Sequence, residues 1–165
     1  MGFFSNLFSK NNKVNANWMY APMAGKAVSI TEVPDPTFAE GMLGNGIAII
    51  PTDGKVYAPC GAKVDMMFST GHAVSLISKA GAEILIHIGL ETVSLEGKPF
   101  TLHANSGDEV KKGDLLIEAD LDMIKEAGLN TITPVVICNS DAYTVFDTIV
   151  GNDVVAGDVV IKLGK

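Results

Sequence analysis

Glycines and prolines cut this chain into short apolar runs. "GIAIIP" (46–51), "KVYAP" (55–59), "EILIHIGL" (83–90), "DLLIEA" (114–119), "TPVVIC" (133–138) and "DVVIKL" (158–163) are rich in Val, Ile and Leu, with turn signals between them. Runs of that length and composition read as strands. Only "DLDMIKEAG" (120–128), opened by an aspartate cap and closed by a glycine, and the first ten residues read as helix. The pattern predicts an all-β fold, an antiparallel β-sandwich or barrel-sandwich with few short helices.

Two internal echoes refine the expectation. "SGDEVKKGDLLIEAD" (106–120) resembles "VGNDVVAGDVVIKLG" (150–164), with Gly107/Gly151, Val110/Val154, Gly113/Gly157 and Asp114/Asp158 in step. "APMAGKAV" (21–28) is loosely repeated by "APCGAKV" (58–64). Each copy reads as strand, turn, strand, so a duplicated barrel-sandwich is expected. Two copies are too few for a solenoid.

A chain of 165 residues suits one domain with a real core. The division is a tail at 1–17 and a domain at 18–165. No stretch of eighteen uncharged apolar residues appears, and the start does not read as a secretory signal, so a cytoplasmic location is expected. The first ten residues place Phe3, Phe4, Leu7 and Phe8 on one helical face. The tail is thus either disordered or a weak interfacial helix giving peripheral membrane contact. Cys60 and Cys138 are seventy-eight residues apart and read as two buried thiols, not as a disulfide scaffold. The net charge is −7 and the basic residues are scattered, which excludes a nucleic-acid face.

Within "EILIHIGLETV" (83–93), His87 interrupts an apolar run. A second histidine, His72, stands fifteen residues earlier in "MMFSTGHAVSLI" (66–77), and "SKAG" (78–81) between them has a type I turn signature. A four-residue hairpin loop on that turn pairs Ile77 with Ala82, and the same register sets His72 opposite His87 with Cβ atoms ~4.5–5.5 Å apart. Alternation then puts Phe68, Thr70, His72, Val74 and Leu76 on one face with Leu85, His87, Gly89 and Glu91. Met67, Ala73, Ile77, Ile84, Ile86, Ile88 and Leu90 fall on the opposite face, which is the expected core. Two imidazoles in contact do not both carry charge comfortably, so at least one is neutral at pH 7. Its free ring nitrogen is a nucleophile or a metal ligand.

The residues that carry this geometry resemble a known family. "GAEILIHIGLETV" (81–93) is similar to the phosphorylation-site signature of the glucose-family enzyme IIA domains of the bacterial phosphoenolpyruvate-dependent sugar phosphotransferase system. "STGHA" (69–73), "VPDPTFAEGMLGNGIAIIPTDGKVYAPCGAKV" (33–64) and "TPVVICN" (133–139) extend the resemblance over about residues 18–164. It implies that His87 takes a phosphoryl group from phospho-HPr and passes it to a sugar-specific enzyme IIB domain of a IIB/IIC permease. His72 and Thr70 would support the phosphate, and the Gly89 carbonyl would orient the ring. Phe38, Phe68 and Leu85 would be apolar partner contacts, with Asp35 and Glu91 as acidic flanks. Further regulatory partners are open, no cofactor is implied, and the sugar is chosen by the membrane subunit.

Two rival readings use other residues. A zinc hydrolase would recruit His103 from "TLHANSG" as a third ligand, although a solvated loop histidine is simpler. A lipoyl- or biotinyl-type carrier would need a lysine at a tight turn, and Lys63 in "GAKVDMM" approximates one poorly.

Overall fold

The structure is a computed structural model that describes residues 15–165. Phe3, Phe4, Leu7 and Phe8, the face expected of the tail, lie outside the described residues. In chain order the strands are β1 (Trp18–Tyr20), β2 (Gly25–Ser29), β3 (Asn45–Pro51), β4 (Lys55–Tyr57), β5 (Ala62–Met67), β6 (Ala73–Ser78) and β7 (Glu83–His87). There follow β8 (Phe100–Leu102), β9 (Glu109–Val110), β10 (Leu115–Ala119), β11 (Thr133–Ile137), β12 (Val145–Thr148), β13 (Asp153–Val154) and β14 (Val159–Gly164). An eight-stranded sheet runs β13-β2-β3-β11-β7-β6-β5-β9, and two three-stranded sheets run β1-β14-β12 and β4-β10-β8. All pairings are antiparallel.

The expected all-β sandwich is therefore present, with two short helices, α1 (Pro36–Ala39) and α2 (Leu121–Glu126). α2 is the helix expected at 120–128: the Asp120 carboxylate accepts from the Met123 N–H at 3.1 Å, and Gly128 leaves it at φ +79°. α1 was not foreseen. Asp35 caps it by accepting from the Thr37 N–H at 3.0 Å, with Pro36 in the first turn.

The echoes are a duplicated structural unit. In one copy the Lys111 N–H donates to the Asp114 carboxylate at 2.8 Å and the Asp114 N–H returns to the Lys111 carbonyl at 3.0 Å. In the other, Val155 and Asp158 make the same two bonds at 2.9 and 3.1 Å. The turn glycines then dock on the second echo: Gly113 N–H meets the Ala58 carbonyl and Gly157 N–H the Ala21 carbonyl, both at 3.0 Å. Tyr20 N–H donates to the Pro59 carbonyl and Tyr57 N–H to the Pro22 carbonyl, at 2.9 and 2.7 Å, so each copy clasps the other.

Ile47, Ile49, Leu76, Ile84, Ile86, Ile88, Leu116 and Ile117 lie fully buried in one core between the sheets. At about 1.5–3 kcal/mol for each fully buried aliphatic side chain, this core holds the framework against the cost of ordering a polar site at its rim. A smaller cluster of Val28, Ile30, Val33, Phe38, Ala48, Leu90, Ile132 and Val136 covers the other side of the sheet. β3 serves both, because its successive side chains point to opposite faces.

The β6–β7 hairpin departs from the expected register. The turn at 78–81 forms as expected, with the Gly81 N–H donating to the Ser78 carbonyl at 2.9 Å. Gly81, however, is left-handed at φ +94°, and the Ser78 N–H donates to the Ala82 carbonyl at 2.9 Å. The loop thus has three residues, a type I turn followed by a left-handed glycine, and the register shifts by one. Ala73 faces His87, Val74 faces Ile86, Leu76 faces Ile84 and Ile77 faces Glu83. Val74 and Leu76, expected on the histidine face, are therefore core residues, whereas Ile77, expected in the core, is 41% exposed. Ala73, also assigned to the core face, shares the face of His87. The expectation of two buried thiols holds for Cys60 alone, whose thiol burial pushes up to about 12; Cys138 is exposed.

Candidate active site

Strand alternation in the true register would set His72 and His87 on opposite faces. They meet nonetheless, with ring centroids 5.2 Å apart and planes at 80°. The reason is that both stand where the ladder ends. β7 stops at His87 and β6 starts at Ala73, so His72 precedes the strand. Its carbonyl still accepts from the Ile88 N–H at 2.7 Å, which tethers the backbone to β7. On the outer side of each histidine is a left-handed glycine, Gly71 at φ +69° and Gly89 at φ +74°. A Cβ at Gly71 would lie 2.6 Å from Phe100 Cβ, and one at Gly89 2.7 Å from Thr92 Cγ2 and 2.9 Å from the Asn130 carbonyl oxygen. Both positions demand glycine twice over, by conformation and by space.

Each imidazole is held through Nδ1. His87 Nδ1 lies 2.7 Å from the Gly89 carbonyl oxygen. A carbonyl only accepts, so Nδ1 carries the proton and Nε2 carries the lone pair. His72 Nδ1 lies 2.5 Å from Thr70 Oγ1, a hydroxyl that can donate or accept. Neither Nε2 has a hydrogen-bond partner among the described residues. No side-chain nitrogen or oxygen there is both fully buried and unpartnered, so both Nε2 atoms reach solvent.

Both rings favour the neutral form. The pKa of His72 is lowered, first by burial and then by His87 beside it. That of His87 is lowered by burial, with the Gly89 carbonyl and the Asp35 carboxylate acting in the opposite direction. Phe38 tilts against His87 at 5.2 Å and Phe68 stands edge-on to His72 at 5.2 Å. Apolar walls and neutral rings belong together, because an imidazolium here would give up hydration.

The other expected site residues separate by exposure. Asp35 is half-buried at the head of α1, Glu91 is exposed with a left-handed backbone at φ +59°, and Phe68 and Leu85 are half-buried. Phe38 is 5% exposed, so its ring is a wall under His87 more than a free surface. Gly71, Thr92 and Asn130 were not assigned roles from the sequence. The Thr92 hydroxyl donates to the Ile88 carbonyl at 2.6 Å, and Asn130 receives the Leu90 N–H at 2.9 Å and the Ile132 N–H on its side-chain oxygen at 2.9 Å. Together they fix the loop that aims the Gly89 carbonyl. Thr92 stood inside the quoted signature, but Asn130 carried no sequence signal.

The rivals lack their geometry. His103 pairs with Glu118 at 2.9 Å, and no group of three metal-ligating side chains occurs among the described residues. Lys63 sits inside β5, paired with Ile77 and Glu109, not at a turn.

Comparison with known proteins places the chain in a family. The family described as "phosphoenolpyruvate-dependent sugar phosphotransferase system, EIIA 1" matches residues 17–143. The chain belongs to that family. It is similar to the PTS system glucose-specific EIIA component of Bacillus cereus, 47% identical over 148 residues that cover 90% of each chain. The Halalkalibacterium halodurans protein of the same name is 47% identical over 140 residues, covering 85% of this chain and 81% of that one. Among solved structures, glucose permease IIA from Mycoplasma capricolum matches with a TM-score of 0.82 and 36% identity, over 87% of this chain and 93% of the other. This enzyme IIA chain is thus a phosphocarrier, the phosphotransferase component that hands phosphate to EIIB/EIIC components. No helix among the described residues is long and apolar enough to cross a membrane.

Proposed function

We propose that Nε2 of His87 is the phosphoryl acceptor, that phospho-HPr is the donor, and that a sugar-specific enzyme IIB domain is the recipient. One observation carries the reading: the Nδ1–H of His87 is committed to the Gly89 carbonyl at 2.7 Å, so the lone pair lies on the solvent-reaching nitrogen. That nitrogen attacks phosphorus in line as the bond to the donor breaks. The ring then becomes positive while Nδ1 keeps its proton, and the Gly89 carbonyl and Asp35 carboxylate stabilise that charge. Such a ring is a good leaving group for the next transfer.

His72 acts on the phosphoryl oxygens. With the Thr70 hydroxyl donating to Nδ1, the His72 proton sits on Nε2 and points a donor at the group in transit. Phosphoryl transfer asks mainly for position and charge stabilisation, which this pair supplies without a nucleotide. The walls of Phe38 and Phe68 limit water at the phosphohistidine. Phe68 and Leu85 serve as partner contacts, with Asp35 and Glu91 as an acidic rim. The glucose specificity in the relatives' names is a reading for this chain too, tested by which IIB domain accepts its phosphate. Incubation with phosphoenolpyruvate, enzyme I and HPr, followed by peptide mapping, should place one acid-labile, base-stable phosphate in 83–93. A phosphate on serine or threonine would refute the reading.

A further inference from the structure

The duplication supplies an internal control for a feature the phosphocarrier reading does not use. A cavity of about 330 Å³ lies beside the 111–114 turn, with Lys79, Lys111 and Lys112 around it and Cys60 and Gly61 in its wall. Three of the chain's twelve basic residues therefore line one cavity in a protein of net charge −7. No carboxylate lines the cavity, and none of the three lysines has an ion-pair partner within 4 Å among the described residues. The Lys112 ammonium is held 3.7 Å above the Tyr20 ring. Like charges gathered without a counter-charge repel one another, and an anion between them removes that cost.

The second copy of the unit shows that the fold does not require those lysines. Its equivalent cavity, about 420 Å³, has Val155 and Ala156 where the first has Lys111 and Lys112. Both turns keep the same aspartate bonds and the same glycine dock. Lys79 N–H donates to the Gly61 carbonyl at 3.1 Å, and in the other copy Thr52 N–H donates to the Ala24 carbonyl at 3.0 Å. Thus lysine, lysine and lysine correspond to threonine, valine and alanine on matched backbone, and the second cavity instead mixes Asp53 with Lys55.

We infer that the lysine-ringed cavity binds a small phosphate-bearing anion, at a site separate from the histidine pair. Its volume lies within the range of small-molecule pockets, and the charge of three lysines in its lining suits a dianionic phosphate monoester. The cavity lies at the turn end of the β6–β7 hairpin and His87 at the other end. The five residues of β7 alone span roughly 16 Å.

The test uses the full chain, with inorganic phosphate and a hexose 6-phosphate as separate probes, followed by amide chemical shifts and calorimetry. The expected result is saturable one-to-one binding with Kd below ~1 mM for at least one probe, and shifts centred on Gly61, Lys79 and Lys111. Lys111→Val with Lys112→Ala borrows the residues of the other copy, so the turn should fold. It should weaken binding at least ~10-fold while phosphoryl acceptance stays at the parental rate. His87→Gln should leave anion binding unchanged, which separates failure here from failure of the proposed carrier site. Shifts confined to His72 and His87, non-saturating binding of both probes, or parental affinity in the lysine double variant would overturn the inference.

Discussion

Residues 70–72 and 87–89 use one local device to opposite ends. In each, an imidazole Nδ1 is tied to an oxygen two residues away, and a left-handed glycine sits beside the histidine. The oxygens differ. Gly89 offers a carbonyl, which dictates a proton on His87 Nδ1 and a bare Nε2; Thr70 offers a hydroxyl, which permits a proton on His72 Nε2. The burial differs as well, His72 being 8% exposed and His87 half-buried. On the function proposed above, one ring is set up to form a bond and the other to donate to what is bonded. The difference between a carbonyl and a hydroxyl is enough to divide the labour.

The largest effect should come from removing the nucleophile. His87→Gln should abolish phosphoryl acceptance from phospho-HPr while its melting temperature stays close to the parent's, since the ring is at the rim of the core. If that variant still took up label at a measurable rate, the two segments would be interchangeable and the division of roles would fail. His72→Gln should fall between. Acceptance on His87 persists, because the nucleophile remains, whereas onward transfer to the IIB domain slows by ~10²–10³, the usual loss for one positioned donor. A label-and-chase assay separates the two half-reactions, and equal loss in both would refute the assignment.

Gly89→Ala sharpens the comparison from the carbonyl side. The left-handed φ costs a non-glycine residue about 1–2 kcal/mol, and the new Cβ must displace Thr92 Cγ2 and the Asn130 carbonyl. Chemical denaturation should show a loss of at least that size, and acceptance should drop because the Gly89 carbonyl no longer points at Nδ1. Retained stability and rate would mean that the aim of the carbonyl is unimportant.

A smaller effect concerns pH. Both histidines have folded-state pKa values below the ordinary 6.5, so the folded chain binds fewer protons than the unfolded one as pH falls through that value. Stability should be unaffected above pH 6.5 and decline below it, and the decline should be shallower when both histidines are replaced by glutamine. Acceptance should likewise persist from pH 8 to about 6.5, failing only at lower pH where Nε2 of His87 becomes protonated. A midpoint above 6.5 would contradict the burial argument.

Much of this was legible before the fold. The strand content, the α2 caps and the duplicated turns follow from glycine placement and apolar runs. The histidine pair, with Thr70 and Gly89, came from the signature and its resemblance. The hairpin register did not, because "SKAG" reveals a turn but not that Gly81 is left-handed, and that one dihedral angle shortens the loop and reverses the faces of β6. The expected face-to-face histidines were thus reached by a register that does not exist. The rings meet because Gly71 and Gly89 take the chain out of strand geometry at both ends. Asn130 was invisible for another reason: its contact with the 88–92 loop joins residues forty apart in sequence, and nothing local marks it.

The measurement that bears most directly on the account is the identity of the phosphorylated atom. The chain labelled with nitrogen-15 in histidine, phosphorylated through HPr and kept at alkaline pH, reports phosphorus–nitrogen coupling on the ring that bears the group. A single coupled nitrogen is expected, Nε2 of His87, with its Nδ1–H still bonded to the Gly89 carbonyl. Coupling to Nδ1 of His87, or to either nitrogen of His72, would contradict it.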